Sequence, residues 1–224
     1  MTVCALVGAV GFNAFHFNKQ NFDYVVAVDA GYTHLQNAGV IPDLVIGDFD
    51  SLDKKPHHSN VKQFPTRKDE SDIELALQKV ATCYDTLVVY GCMGGRYDFT
   101  YAVFQLVAHF TQKGNSVFIV GQDTIVTGLC GDSFTTISFT EQAAGILSLF
   151  SFTDKITGVD ELGLEYELHQ ATLYCDKPMG VSNAFKGVPS RISVNKGTAL
   201  LFFPVEAWDC IDSFKMQTKE KNRL

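Results

Sequence analysis

The chain has 224 residues, 46% of them hydrophobic and 12% aromatic, with 25 acidic side chains against 18 basic ones, a formal net charge of −7. That composition excludes an intrinsically disordered chain, and its acidic balance argues against a nucleic-acid backbone as the principal partner. The length admits one large domain or two small ones, since domains commonly run to about 100–150 residues.

The acid is unevenly made. Residues 1–100 contain ten Asp (23, 29, 43, 48, 50, 53, 69, 72, 85 and 98) but only two Glu (70 and 74). Glu is the better helix former, so an Asp excess implies carboxylates placed in turns, caps or metal sites. The six cysteines, at 4, 83, 92, 130, 175 and 210, form no C-x-x-C pair and sit beside apolar residues. They are expected to be reduced, mostly buried thiols of a cytoplasmic protein rather than a disulfide framework or a zinc site. The apolar stretch from Met1 to Phe12 lacks the basic flank and cleavage signal of a secretory leader. No stretch reaches the roughly 18 apolar residues of a membrane span.

In chain order, Val3–Val10, Tyr24–Asp29, Leu44–Gly47 and Leu87–Gly91 are short continuous β-branched runs. This is the pattern of parallel strands buried on both faces. Helical windows lie between them: Ile73, Ala76, Leu77 and Val80 share one face, as do Tyr101, Phe104, Gln105 and Ala108 within a segment from about 98 to 111. Val117–Val120 reads as a further strand. The alternation predicts an α/β domain with a mostly parallel sheet flanked by helices.

Beyond about Thr124 the strand-like runs follow one another without a helix: Thr124–Leu129, Phe134–Phe139, Ile146–Phe152, Leu164–Leu168, Ala171–Tyr174, Arg191–Val194 and Ala199–Phe203. Glycines punctuate them, which predicts an antiparallel β-sandwich. The expected division is residues 1–126 for the α/β domain and 127–214 for the sandwich, with a basic, frayed tail over 215–224 carrying Lys215, Lys219, Lys221 and Arg223.

In open α/β sheets ligands bind beyond the carboxyl ends of the strands, where the strand order reverses. Three loops fall there. In Ile46-Gly47-Asp48-Phe49-Asp50-Ser51, two carboxylates stand at i and i+2. If extended, Asp48 and Asp50 point the same way and repel unless a cation lies between them. Oxygen ligands of that kind suit Mg²⁺, although an Asp-rich turn capped by Ser51 has the same spelling. A calcium loop fits poorly, because its sixth residue would be Asp53 rather than Gly. In Arg67-Lys68-Asp69-Glu70-Ser71-Asp72, Asp69 or Ser71 is a natural helix N-cap. The same loop also sets carboxylates for an ion beside cations for phosphate. In Gly91-Cys92-Met93-Gly94-Gly95-Arg96-Tyr97-Asp98, glycines permit close approach of a phosphate and Arg96 can fork onto its oxygens. It is either such a cradle or a glycine turn with Asp98 as N-cap; it is not a Walker A loop, having no Gly-Lys-Ser/Thr. Near the N-terminus, Gly8-Ala9-Val10-Gly11 is an incomplete dinucleotide fingerprint, and Asp29-Ala30-Gly31 is better read as another carboxylate on the same rim. The adjacent His57 and His58 do not make a metal-ligand set.

Together these loops resemble the thiamine pyrophosphokinase family. Asp29-Ala30-Gly31 is similar to its D-G-G or D-x-G segment, and Gly39-Val40-Ile41-Pro42-Asp43 and Gly47-Asp48-Phe49-Asp50-Ser51 follow in the family's order. Asp69-Glu70-Ser71-Asp72 resembles D-x-T-D, and Gly94-Gly95-Arg96-Tyr97-Asp98 resembles G-G-R-x-D. Later, Gly163-Leu164-Glu165-Tyr166 and Gly180-Val181-Ser182-Asn183 also match. The resemblance implies transfer of a diphosphate from ATP to thiamine, giving thiamine diphosphate and AMP. It further implies ATP–Mg²⁺ on the acidic loops and a homodimer with thiamine at the subunit interface. Carried over, Asp48, Asp50, Asp69 and Asp72 are the metal ligands, and Arg96 joins Asp48, Asp50 and Asp72 in catalysis. Asp29, Gly31, Lys68, Gly94, Gly95, Arg96 and Asp98 would hold the nucleotide, and Ser182 with Asn183 the thiamine. Two departures stand out: Phe99 replaces the histidine that usually follows G-G-R-x-D, and Ala184 follows Asn183 where an acidic residue is common. They leave room for a related alcohol such as a pterin as acceptor, and a non-catalytic nucleotide or thiamine sensor is the reading from another class.

Overall fold

A computed structural model describes residues 2–50 and 56–216. The Ser51 cap, Asp53 and all of the basic tail beyond Met216 lie outside the described residues. The chain divides into two compact units, one of Met1–Leu106 with Val117–Gln122 and the other of Val107–Ser116 with Asp123–Leu224.

In the first unit the strands are β1 (Val3–Val7), β2 (Tyr24–Val28), β3 (Leu44–Gly47), β4 (Val61–Gln63), β5 (Thr86–Tyr90) and β6 (Ser116–Val120), in the sheet order β6-β5-β1-β2-β3-β4. The pairs β1–β2, β1–β5, β2–β3 and β3–β4 are all parallel. Every residue of β3, β5 and β6 is buried, which is why, after Thr86 and Ser116 at the starts of β5 and β6, these segments read as continuous apolar runs. The helices are α1 (Ala14–Lys19), α2 (Gly31–Asn37), α3 (Asp72–Val80) and α4 (Tyr97–Gln112), the last running on into the second unit's residues. Ser71 caps α3, its hydroxyl accepting the Glu74 amide at 3.3 Å, and Ile73, Ala76, Leu77 and Val80 are its buried face. Asp98 does not cap α4 but lies in its first turn, because the helix starts at Tyr97. Neither α1 nor α2 was expected from periodicity; at six and seven residues they are too short to show one.

The strand order reverses beside β1: the chain steps outward through β2, β3 and β4, then returns to place β5 on the other flank. At this switch point the backbones of Gly8 and Gly91 touch. Gly91 has φ +68°, and a Cβ there would fall 2.3 Å from the Gly8 carbonyl oxygen, so no other residue fits.

The second unit contains two antiparallel sheets. One has the order β12-β9-β14-β7, from β7 (Thr124–Cys130), β9 (Ile146–Ser151), β12 (Asn183–Ala184) and β14 (Thr198–Pro204). The other has the order β11-β10-β13-β8-β15, from β8 (Phe134–Phe139), β10 (Lys155–Leu162), β11 (Leu168–Tyr174), β13 (Ser190–Ser193) and β15 (Ile211–Met216). Phe139 of β8 meets Phe203 of β14 edge to face, with ring centroids 5.3 Å apart, joining the two inner faces into a sandwich core. The expected α/β-plus-sandwich class is thus the observed one. The strand expected over Leu164–Leu168 is not formed: Leu164 makes an isolated bridge to Phe185, and the strand begins at Leu168. β10 was not expected, because register shifts at Thr157/Val159 and Val159/Glu161 break its alternation. Among the described residues no helix is long and apolar enough to cross a membrane, and all six cysteines are free.

Candidate active site

The carboxyl ends of β1, β2 and β5 open into a crevice of about 370 Å³. Its walls are Gly8, Ala9 and Val10 after β1, Val28 and Asp29 at the end of β2, Asp72 and Ile73 from the start of α3, and Cys92, Gly95, Arg96 and Phe99 after β5. The glycine fingerprint at 8–11 is incomplete as a dinucleotide motif. Gly8, Ala9 and Val10 of it line this crevice nonetheless, and the signal that marks them is a glycine ending a buried strand.

Asp29, Asp48 and Asp72 each offer a carboxylate oxygen, all within 4.8 Å of one another. Parallel pairing of β2 with β3 brings the first two together, and α3 presents the third. Asp29 packs so closely on Gly47 that a Cβ at that position would sit 1.8 Å from its Oδ1. The Phe49 amide donates to the same Oδ1 at 3.5 Å. Burial, then the neighbouring Asp72 carboxylate, pushes the Asp29 carboxyl up to about 7, the signature of like charges crowded in a partly desolvated site.

One ammonium answers this crowding. Lys68 Nζ lies 3.1 Å from Asp48 Oδ2 and 3.0 Å from Asp72 Oδ1, with all three side chains between 10% and 14% exposed. Burial disfavours the Lys68 charge, but bonds to Asp72 and Asp48 outweigh it and raise the pKa. Burial works in the same adverse direction on Asp48, where the Asp50 amide and Lys68 prevail and hold the carboxyl below its usual value.

The i/i+2 pair is not extended. Phe49 is buried with φ +63°, a left-handed conformation, and the Asp50 amide turns back to donate to Asp48 Oδ1 at 3.1 Å. Asp48 therefore joins the cluster while Asp50 is exposed and outside it. Asp69 is likewise exposed and outside it. Only four described non-glycine residues have positive φ, and three of them, Asp29 (φ +49°), Phe49 and Ser182 (φ +60°), lie within the sequence motifs. Such conformations cost energy and persist where the surroundings enforce them, commonly at functional sites.

In the glycine loop, Gly94 and Gly95 have φ of +97° and +71°, and the Gly94 amide donates to the Thr100 hydroxyl at 3.2 Å. Arg96 forks onto Asp98, with Nη2–Oδ2 at 2.6 Å and Nε–Oδ1 at 3.1 Å, in full solvent. That pair holds Asp98 down at about 2. Gly31, buried at the start of α2, is held against β1, where a Cβ would fall 1.8 Å from the Val7 carbonyl oxygen.

In the second unit, exposed Ser182 donates its amide to the Ser148 hydroxyl at 3.0 Å. Asn183 is 4% exposed and its amide group is saturated. Oδ1 accepts from the Tyr166 and Ala184 amides at 3.0 and 2.9 Å, and Nδ2 donates to Glu161 Oε2 and the Tyr166 carbonyl at 2.9 and 2.8 Å. Glu161 and Leu168, which line a small cavity beside Asn183, were not singled out from sequence.

Comparison with known proteins adds an independent line. Residues 16–119 match the family model for the thiamin pyrophosphokinase catalytic domain, and residues 135–199 match that for its vitamin B1 binding domain. The chain is 25% identical over 178 residues to thiamin pyrophosphokinase 1 of Caenorhabditis elegans, covering 75% of this chain and 72% of that one. It is 22% identical over 183 residues to thiamine pyrophosphokinase of Bacillus subtilis, covering 79% and 85%. Among solved structures, the B. subtilis thiamine pyrophosphokinase superimposes with a TM-score of 0.79 at 19% identity, over 91% of this chain and 99% of that one. Thiamin pyrophosphokinase from Candida albicans gives 0.73 at 15% identity, over 91% and 88%.

Proposed function

The chain belongs to the thiamine pyrophosphokinase family, and we propose that its crevice carries out Mg²⁺-dependent transfer of the diphosphate of ATP to the hydroxyl of thiamine, giving thiamine diphosphate and AMP. The observation that carries this reading is the triad of Asp29, Asp48 and Asp72 at the strand switch point, crowded enough to lift one carboxyl to about 7.

The donor set fits a hard divalent cation: carboxylate oxygens alone, close together, short of positive charge, with room for phosphate beside them. Asp29, Asp48 and Asp72 would hold Mg²⁺, with Asp50 and Asp69 bordering it on the same loops. Bound there, the ion supplies neutralisation of charge on the phosphate oxygens. The chain's own part is positioning and electrostatics. Lys68 bridges Asp48 and Asp72 and would offer its charge to a phosphate held beside them. Arg96 exchanges its exposed carboxylate partner for phosphate oxygens, a bidentate match of the same geometry. Gly94 and Gly95, both at positive φ, let the backbone approach the nucleotide. The acceptor hydroxyl gives up its proton to water as its oxygen forms a bond to the β-phosphorus, the bond from that phosphorus to the α–β bridging oxygen breaks, and AMP departs with that oxygen.

Residues 1–126 form the nucleotide- and metal-binding part in this reading, and 127–214 the thiamine-binding and dimerising part. Ser182 contacts thiamine and Asn183 positions its surroundings, at the interface of a homodimer in which the partner supplies the nucleotide. Six free thiols suit a reducing cytoplasm. The test is AMP release from ATP with thiamine, with a pterin alcohol, and with no acceptor. Release that depends on thiamine supports the reading; release with the pterin alone, or none, overturns it.

A further inference from the structure

The sandwich unit holds a carboxylate that no cation answers among the described residues. Glu161 on β10 is 1% exposed. Asn183 Nδ2 donates to its Oε2 at 2.9 Å, while Oε1 has no hydrogen-bond partner among the described residues. The side chain lines a cavity of about 80 Å³ with Tyr166, Leu168, Met179, Val181 and Asn183.

A half-satisfied carboxylate under apolar cover is costly unless something completes it. Burial lifts the Glu161 carboxyl to about 6, the Asn183 bond opposing that rise. Asn183 has no bonding capacity left, so within the cavity the free oxygen of Glu161 is available to a ligand. Around the mouth, Tyr166, Met179 and Val181 are 69%, 60% and 53% exposed, large apolar groups set together in water. Such groups mark surfaces that cover something. The chemistry specified is a small, largely apolar body carrying an N–H donor or a positive charge; an anion is disfavoured. Thiamine has such a part, an aminopyrimidine ring.

We propose that Glu161 recognises the aminopyrimidine ring of the acceptor, its Oε1 accepting an N–H from the ring while Tyr166, Met179 and Val181 cover the ring. The assignment rests on the thiamine reading above and deepens it. Asn183 is then a positioning residue, fixing the carboxylate and the Tyr166 loop together.

The test compares thiamine with the analogue whose ring amine is replaced by oxygen, on the wild-type protein and on Glu161→Gln. The Gln side chain keeps an acceptor for Asn183 but turns a donor toward the ring. Expected are a thiamine KM raised about tenfold or more, kcat within about twofold, and loss of the preference for the amine. An unchanged KM and preference, or a fall in kcat alone, overturns the assignment. Should the variant fail to fold, the wild-type protein decides by competition: the free aminopyrimidine alcohol should inhibit against thiamine at concentrations about tenfold below its oxo counterpart, and equal inhibition overturns the assignment. Wild-type protein that releases no AMP with thiamine sinks the functional reading and this inference with it. Turnover without ring discrimination sinks the inference alone.

Discussion

The two units handle buried negative charge in opposite ways. At the strand ends of the first, three carboxylates crowd together and a lysine bridges two of them. In the sandwich, one carboxylate stands alone and a neutral amide satisfies half of it. The first arrangement suits a cation that can displace or join the lysine. The second suits a neutral or cationic ring that enters by one donor. Charge count alone would not separate them; the partner left beside each carboxylate does.

The largest effect should come from dismantling the cluster. Asp48→Asn or Asp72→Asn is expected to lower kcat/KM by about 100- to 1000-fold, whereas Asp50→Asn, outside the cluster, should cost about tenfold. Steady-state kinetics at saturating Mg²⁺ would show whether the two classes differ; equal losses would erase the distinction drawn from Phe49's left-handed turn. Next is the lysine. Lys68→Met leaves Asp48 and Asp72 facing each other, and should lower the stability of the metal-free protein by about 3 kcal/mol. Thermal unfolding with and without Mg²⁺ checks it, since the ion should restore more stability to the variant than to wild type.

A smaller effect is expected in the sandwich. The Glu161 carboxyl is raised from 4.5 to about 6 on folding, so the protonated form is the one folding favours. That stabilisation is complete below pH 4.5 and is lost as pH rises through 6, a change of about 2 kcal/mol. Glu161→Gln has no such loss, so its stability relative to wild type should rise by that amount between pH 4.5 and 7, measured by denaturant unfolding. A flat difference would mean that the carboxyl is solvated. The smallest effect is at Phe99, which lines the crevice where the family usually has histidine. Phe99→His should change the KM for ATP by about threefold or less, or about 0.6 kcal/mol, with folding unaffected.

What the sequence disclosed follows from which interactions are local. β3, β5 and β6 were readable because burial on both faces leaves an apolar run, broken only by Thr86 and Ser116 at the starts of β5 and β6. The Ser71 cap was readable because its partner is three residues away. β10 was hidden by its bulges and by Asp160-Glu161, a pair that looks solvent-facing although Glu161 is buried. The three loops of the rim were found, but not which carboxylates meet. That depends on Asp29 and Asp48 ending neighbouring strands and on one backbone angle at Phe49, neither of which composition or spacing encodes.

The most direct test of the whole account is phosphorus NMR of wild-type protein with ATP and thiamine, run with Mg²⁺ and again with a chelator. The account predicts thiamine diphosphate and AMP in equal amounts with Mg²⁺ and no turnover with the chelator. Thiamine monophosphate with ADP, or an undiminished rate without the metal, would contradict it.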